Sequence, residues 1–259
     1  MRKKKIQMCR MSGTMEYLFN NNGIEIKATY SNEEIKSVFI PLLEHLSEMR
    51  SRKGRRLIVM LAAPPGAGKS TLSSYLEYLS GDVISGMKVQ AIGMDGFHRY
   101  QDYLISHTAD INGRKVQMVD IKGAPVTFDI EQFKIKLREI SSGKNCGWPV
   151  YNRLLHNPVD NAVFVDGDII ILEGNYLLLD EEGWRDLSDF ADYTISIKAD
   201  PAMLKERLIE RKISTGCPKD DAIAFVEFSD MANVMLCLEK TKPADLRLSL
   251  TKESGYVKL

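Results

Sequence analysis

The sequence lacks the features that mark thiolate metal sites, secretion or membrane residence. Its four cysteines, Cys9, Cys146, Cys217 and Cys237, are scattered through 259 residues with no C-x-x-C pair. That spacing argues against a zinc site or a disulfide framework and suits a reducing cytoplasm. An excess of either charge is also missing, since 35 basic residues face 35 acidic ones. A balanced chain has no general footprint for nucleic acid or anionic membrane, so the expected partner is a small molecule met in a local site. No apolar run approaches the ~20 residues that a membrane helix requires. Behind Arg2-Lys3-Lys4-Lys5, the residues Gln7, Cys9, Arg10 and Ser12 leave no apolar stretch, so the start reads as a solvated terminus rather than a signal peptide. Met8, Met11 and Met15 leave the start of translation open.

What is present centres on Ala63-Pro64-Pro65-Gly66-Ala67-Gly68-Lys69-Ser70-Thr71. A short buried-strand pattern, 57–62, precedes it, and Leu72, Tyr75, Leu76 and Leu79 follow at helical spacing. Strand, small-residue turn and helix together make a phosphate cradle. Backbone N–H groups curl inward and the helix adds its positive end. Pro65, Gly66, Ala67, Gly68, Lys69, Ser70 and Thr71 are the expected nucleotide contacts. Lys69 reaches the β- and γ-phosphates and Ser70 gives its hydroxyl to Mg²⁺. Ala63 stands where the pattern G-x-x-x-x-G-K-[ST] has glycine, a minor change unless that residue must be left-handed.

The length fits one α/β domain with embellishments. Residues 1–54 read as an N-terminal appendage packed on a core of 55–259. In it, 24–30 alternates as a strand, Ser31 and Glu34 form a capping box, and Ile35, Val38, Phe39, Leu42, Leu43 and Leu46 make a helical stripe that Pro41 should kink or divide. A second strand, 89–94, delivers Asp95-Gly96-Phe97-His98, and its expected place is beside the P-loop strand. Asp95 there can accept a proton from an attacking hydroxyl or help to hold Mg²⁺. Residues 99–128 look like a long, partly mobile loop whose charges are mostly a solvated face. Thr127 is the expected cap of a helix ending at Gly143. Asp166-Gly167-Asp168 reads as a turn between two strands, the second of which ends at Glu173, a Walker-B-like position for Mg²⁺. Asp200-Pro201 opens a helix that carries Arg207 and Arg211 on one face, the first half of a helix-break-helix lid at about 205–222. Residues 246–250 alternate as an outer strand.

In order, A-P-P-G-A-G-K-S-T at 63–71, D-G-F-H at 95–98, K-G-A-P-V-T-F-D at 122–129, P-V-Y at 149–151 and I-L-E-G-N-Y at 171–176 resemble the phosphoribulokinase/uridine kinase-like P-loop kinases, a group that includes pantothenate kinase. The resemblance spans about 55–240 and is nearest to the branch described as nucleoside or sugar kinase-like. It implies a three-layer α/β fold with a mainly parallel sheet, and ATP-dependent phosphorylation of an alcohol. Asp95 matches the general base and Tyr151 the tyrosine at the acceptor. His156 stands where uridine kinases have a nucleoside-contacting histidine, five residues after that tyrosine. Arg153 stands where pantothenate kinases have theirs, two residues after it. The departures leave the acceptor open while the reaction class holds. Expected site residues are therefore Asp95, Lys69, Arg207 and Arg211 for catalysis, with Asp95, His98, Tyr151, Arg153 and His156 at the acceptor and Ser70 and Glu173 at the metal. ATP and Mg²⁺ are the expected cofactors, and a homodimer is left open. The competing reading is a nucleotide-dependent ATPase switch acting on a protein partner, which would need no base for an alcohol.

Overall fold

The computed structural model describes residues 10–259 apart from 12, 22, 23 and 112. The basic run at 2–5, Met8 and Cys9 lie outside the described residues. Strands β1 (Arg10–Met11), β2 (Thr14–Asn21) and β3 (Ile24–Ser31) form an antiparallel sheet in that order. Helix α1 follows over 32–53. Its capping box is complete. Ser31 Oγ accepts from the Glu34 N–H at 3.1 Å, and Glu34 Oε2 accepts from the Ser31 N–H at 3.4 Å. Pro41 does not end the helix. A π-helical stretch, Ile35–Phe39, lies just ahead of it, and the widened turn accommodates a ring that cannot donate to the ladder.

The remaining elements are β4 (Leu57–Ala62), α2 (Lys69–Val83), β5 (Val89–Gly93), α3 (Gln101–Ser106), β6 (Thr108–Ile111), β7 (Arg114–Gln117), α4 (Ile130–Ser141), β8 (Cys146–Asn152), β9 (Asn157–Val165), β10 (Ile169–Gly174), β11 (Tyr193–Lys198), α5 (Pro201–Ser214), α6 over 219–240 with a π-helical stretch at Val226–Asp230, β12 (Leu246–Leu250) and β13 (Tyr256–Lys258). The central sheet runs β13-β12-β11-β4-β10-β5, parallel throughout except for β13. Every residue of β4 and β10 is buried, which is why both are unbroken apolar runs apart from Glu173. Alternation along β4 sends Leu57, Val59 and Leu61 to one face with residues of α1 and α2. Ile58, Met60 and Ala62 go to the other with Phe133, Leu137 and Trp148. Helices on both faces complete the three-layer fold.

Three expectations are corrected here and a fourth is refined. The strand that carries Asp95 is not beside the P-loop strand, because β10 fills the place between β4 and β5. Residues 166–168 do connect two strands, as expected, although the two do not pair with each other. β9 pairs with β8, while β10 enters the central sheet. Thr127 is buried in a short 3₁₀ turn, and Asp129 caps α4 by accepting from the Gln132 N–H at 3.2 Å. Residues 99–128 are not an open loop. They fold as α3, the β6–β7 hairpin and two 3₁₀ turns around Leu104, Ala109, Met118 and Ile121.

The link between α1 and β4 is tied down by Asp192. Its carboxylate accepts from Lys53 at 2.5 Å, from both Arg55 nitrogens at 2.6 and 2.9 Å, and from the Ile58 N–H at 2.9 Å. Burial pushes the Asp192 pKa up, but Arg55, Lys53 and the N–H outweigh it and hold the group below the ordinary carboxylate value. The stabilisation is therefore complete above that ordinary value and is lost as pH falls through the folded-state pKa. Asp192→Asn should cost about 2 kcal/mol at pH 7. In chemical denaturation the gap from wild type should close as the pH is taken below ~4.

Candidate active site

The site is built at the carboxyl ends of β4, β10 and β5, where each strand hands over to a turn. After β4, Gly66 and Gly68 adopt φ of +84° and +78°, which lets the turn fold back before α2 begins at Lys69. Ala63 is not among the described residues with positive φ, so alanine serves where the motif has glycine. The Ala63 N–H donates to Gly174 O at 3.3 Å, which fixes the start of the turn against the end of β10.

Glu173 on β10 is buried, and its Oε1 accepts from Ser70 Oγ at 2.8 Å. Burial drives the Glu173 pKa well above the ordinary carboxylate range, and the nearby Asp95 carboxylate adds to the rise. Lys69, the Ser70 hydroxyl and Arg153 pull it partly back. Asp95 lies half-buried in the 3₁₀ turn Met94–Phe97 after β5. Burial would raise it too, but His98 in its protonated form, together with Lys69, Arg153 and Arg211, outweighs that and holds it below the ordinary carboxylate value, so it is already a carboxylate at the pH where His98 is neutral. One cleft thus holds two carboxyl groups with opposite proton preferences. Among the described residues no group of three or more His, Cys, Asp or Glu side chains could cage a metal alone. Magnesium does not need a cage. It takes one or two carboxylates and completes its octahedron with water and phosphate oxygens, and the Ser70–Glu173 pair is an oxygen donor set of that kind.

A further wall of the cleft comes from β8. Trp148, fully buried, donates Nε1–H to Gly93 O at 2.8 Å and packs its ring 4.9 Å from Phe97. Gly96 sits so close to β8 that an added Cβ would overlap the Pro149 carbonyl. These contacts place Tyr151 and Arg153 in the same cleft as Ser70, Asp95 and Glu173. His98 lies between Phe128 and Tyr151, with ring centroids 3.9 and 5.1 Å away. Its Nδ1 is 2.8 Å from Asp95 O, and since a carbonyl only accepts, Nδ1 carries the proton and Nε2 is free to accept. Burial lowers the His98 pKa, partly offset by Asp95, so the ring is neutral at pH 7.

Not every expected residue meets there. His156 is exposed in the turn between β8 and β9, with φ of +52°, and reaches the cluster only through its carbonyl, which accepts from Lys122 at 3.0 Å. Arg207 and Arg211 lie on α5 but have separate surroundings. Arg207 donates to Gly66 O at 3.4 Å and to Ser254 Oγ at 2.5 Å, while Arg211 lies near Arg153, Asp230 and Asp95.

Two groups escaped the sequence reading. Lys122, within the charges assigned to a solvated face, stands 5.0 Å over the Tyr151 ring, donates to Gln101 Oε1 at 2.6 Å, and is pushed down to about 8 by burial. Its place in K-G-A-P-V-T-F-D was the available signal. The second group is Asn175, Ser229 and Asp230, which carry buried polar atoms without a partner among the described residues. Nothing in their sequence context marked them as buried polar groups.

The strand order, the turn after β4 and the helices on both faces define a P-loop kinase fold. Residues 58–247 match the Phosphoribulokinase / Uridine kinase family, and the chain belongs to that family. The uncharacterized protein YggC of Escherichia coli (strain K12) is 41% identical over 236 residues, 91% of this chain and 95% of its own. That span is longer than residues 55–259, so the match takes in part of residues 1–54. A protein of Schizosaccharomyces pombe (strain 972 / ATCC 24843), C227.14, provisionally named a uridine kinase, is 27% identical over 236 residues, 87% of this chain and 95% of its own. The crystal structure of a Silicibacter sp. TM1040 protein, provisionally described as a fructose transport system kinase, superposes with a TM-score of 0.71 at 32% identity, covering 81% of this chain and 98% of that one.

Gly96 offers a test of how the carboxylate is placed. Gly96→Ala must push the Asp95 turn off β8, and a shift of ~1 Å at a reacting group costs about 100-fold in rate. Turnover should fall by at least about that factor while ATP binding, measured by calorimetry, changes by less than about threefold.

Proposed function

We propose that this chain is an ATP- and Mg²⁺-dependent kinase that transfers the γ-phosphate to a hydroxyl of a small metabolite, of the nucleoside, sugar or pantothenate-like kind. The observation that carries the reading is Asp95, a carboxylate with a lowered pKa in a cleft it shares with Ser70 and Glu173 on the phosphate side and with Tyr151 and Arg153 on the proposed acceptor side, with Lys69 and His98 close enough to act on its charge. An ATPase switch has no use for such an acceptor wall. Family membership supports the transferase class and nucleotide use. No helix among the described residues is long and apolar enough to cross a membrane, and the described cysteines are free, which fits the cytoplasmic location we propose.

In this mechanism Asp95 accepts a hydrogen bond from the acceptor hydroxyl, holds its oxygen in line with the γ-phosphorus, and takes the proton as the new P–O bond forms and the bond to the β-phosphate oxygen breaks. Lys69 and the N–H groups of the turn balance charge on the transferring group. Bound Mg²⁺, held through Ser70 and Glu173, would supply Lewis-acid neutralisation of the phosphate oxygens. Neutral His98 offers Nε2 to a second acceptor hydroxyl, and Tyr151 and Arg153 frame the remainder. Arg211 faces the cleft from α5 and completes the enclosure, which keeps water from competing with the alcohol.

Screening acceptors by ADP release tests the reading. Turnover should rise when the right alcohol from pooled nucleosides, sugars and pantothenate is added, and turnover indifferent to every alcohol would favour the switch. Lys69→Ala should lose at least ~100-fold in rate, the ~3 kcal/mol typical of one well-placed charge in a closed site. Near-normal transfer by that variant would remove the P-loop assignment. The two carboxylates separate by their variants. Asp95→Asn should leave Mg²⁺·ATP affinity nearly unchanged and lower acceptor phosphorylation ~10²–10⁴-fold. Glu173→Gln should raise the Mg²⁺ concentration needed both for ATP binding by calorimetry and for half-maximal rate. The opposite pattern would exchange the roles.

A further inference from the structure

The two ends of the described chain meet at the phosphate turn. Tyr256, on β13, is buried, and its hydroxyl donates to Ala67 O at 2.9 Å. Glu34, in the first turn of α1, accepts from the Tyr256 N–H through Oε1 at 2.5 Å. The same carboxylate closes the capping box through Oε2, so the start of α1, β13 and the turn are joined through one acid and one phenol. The phenol also fills the space beside Gly68, where an added Cβ would lie 2.7 Å from Tyr256 Oη. Arg207 reaches the turn from another side, through Gly66 O, and holds Ser254 two residues before Tyr256.

The geometry of the peptide gives this contact a consequence. In a planar trans peptide the C=O and the following N–H point in opposite directions. A hydroxyl bound to Ala67 O therefore sets the direction of the Gly68 N–H. That N–H belongs to the set a phosphate must meet. Gly68, at φ of +78°, has no side chain to restrict it, so an outside contact is what selects one orientation. Packing holds the strap in place. Tyr256 lies 6.3 Å from Phe39, which packs edge-on to Tyr30 at 5.3 Å and to Tyr75 of α2 at 5.8 Å. Tyr17 adds a bond from its hydroxyl to Ser74 O at 3.1 Å. Appendage, C-terminal strand and P-loop helix share this aromatic cluster.

We propose that the N-terminal appendage is a buttress for nucleotide binding, acting through Glu34 and Tyr256, and that Tyr256 is a positioning residue which fixes the Ala67–Gly68 peptide with its N–H toward the phosphates. Burial raises the Tyr256 pKa far above neutrality, so the phenol stays protonated and remains a donor. The nucleotide part of the proposal rests on the kinase reading, while the orientation of the turn does not.

Tyr256→Phe keeps the ring in its cluster and removes only the hydroxyl. In the ligand-free full chain, amide hydrogen exchange over 64–70 should quicken about fivefold or more, with the central strands unchanged, as the loss of one buried hydrogen bond dictates. The Kd for ATP should rise about five- to tenfold while the KM for the acceptor stays within about twofold. Glu34→Ala should reproduce both effects and add little to Tyr256→Phe. Glu34→Gln, which retains an oxygen for the Tyr256 N–H, should restore most of the wild-type behaviour. Unchanged exchange over 64–70 in Tyr256→Phe would overturn the proposal, as would a uniform rise across the sheet, the mark of general loosening. If the wild-type chain bound no ATP and the variant still showed quickened exchange confined to the turn, the strap would stand and the kinase reading would fall.

Discussion

Two carboxylates cannot share a low-dielectric cleft as anions unless cations hold them there, and the site is arranged around that constraint. Asp95 and Glu173 arrive from adjacent strands, β5 and β10, and the Asp95 charge raises the pKa of Glu173. Lys69, at the start of α2, lowers both. Arg153 from the β8–β9 side does the same, and Arg211 from α5 adds its charge at Asp95 alone. Coulomb attraction grows as water is excluded, so the residue nearest the most cations keeps its charge and the more deeply buried one gives way. Asp95 is left with its pKa below the ordinary carboxylate value and Glu173, bonded to Ser70, with its pKa raised; the kinase reading proposed above uses the first as proton acceptor and the second on the metal side. The interposed strand matters here. With β10 between β4 and β5, Glu173 stands next to the phosphate turn and Asp95 one strand further out.

Most of this frame was legible because its signals are local. An apolar run, a small-residue turn and a helical stripe are consecutive in the chain, as are the strands that end at Asp95 and Glu173. The Ser31–Glu34 box and the Asp200-Pro201 start of α5 were equally local and formed as read. What failed was long-range. Nothing within 89–94 or 169–174 says which strand pairs with which, so the place of β10 could not be read. An apolar-turn-apolar pattern at 163–172 is the same whether the strands pair or part. The fold of 99–128 rests on four modest apolar residues spread over short elements, too sparse for any period to register. Lys122 shows the limit most plainly, because a lysine code letter carries no information about burial.

The lid reading gains a boundary from the same comparison of local and distant contacts. Arg207 and Arg211 are one helical turn apart, about 6 Å along the axis. Spacing alone gave them one role. The structure ties Arg207 to the carbonyl of Gly66 and to Ser254, so this turn of α5 is part of the wall that supports the phosphate turn. It cannot swing without breaking those bonds. Arg211 has no such anchor and is exposed, and the residues after it, 213–216, are exposed as well. Across from it, Asp230 is buried with one carboxylate oxygen unpaired, and burial raises its pKa against the pull of Lys212 and Arg211. An unpaired buried acid facing two cations that do not bond to it is a state with free energy to release, by ~1–3 kcal/mol for one such group. In the kinase reading the moving part of the lid therefore begins beyond Arg207.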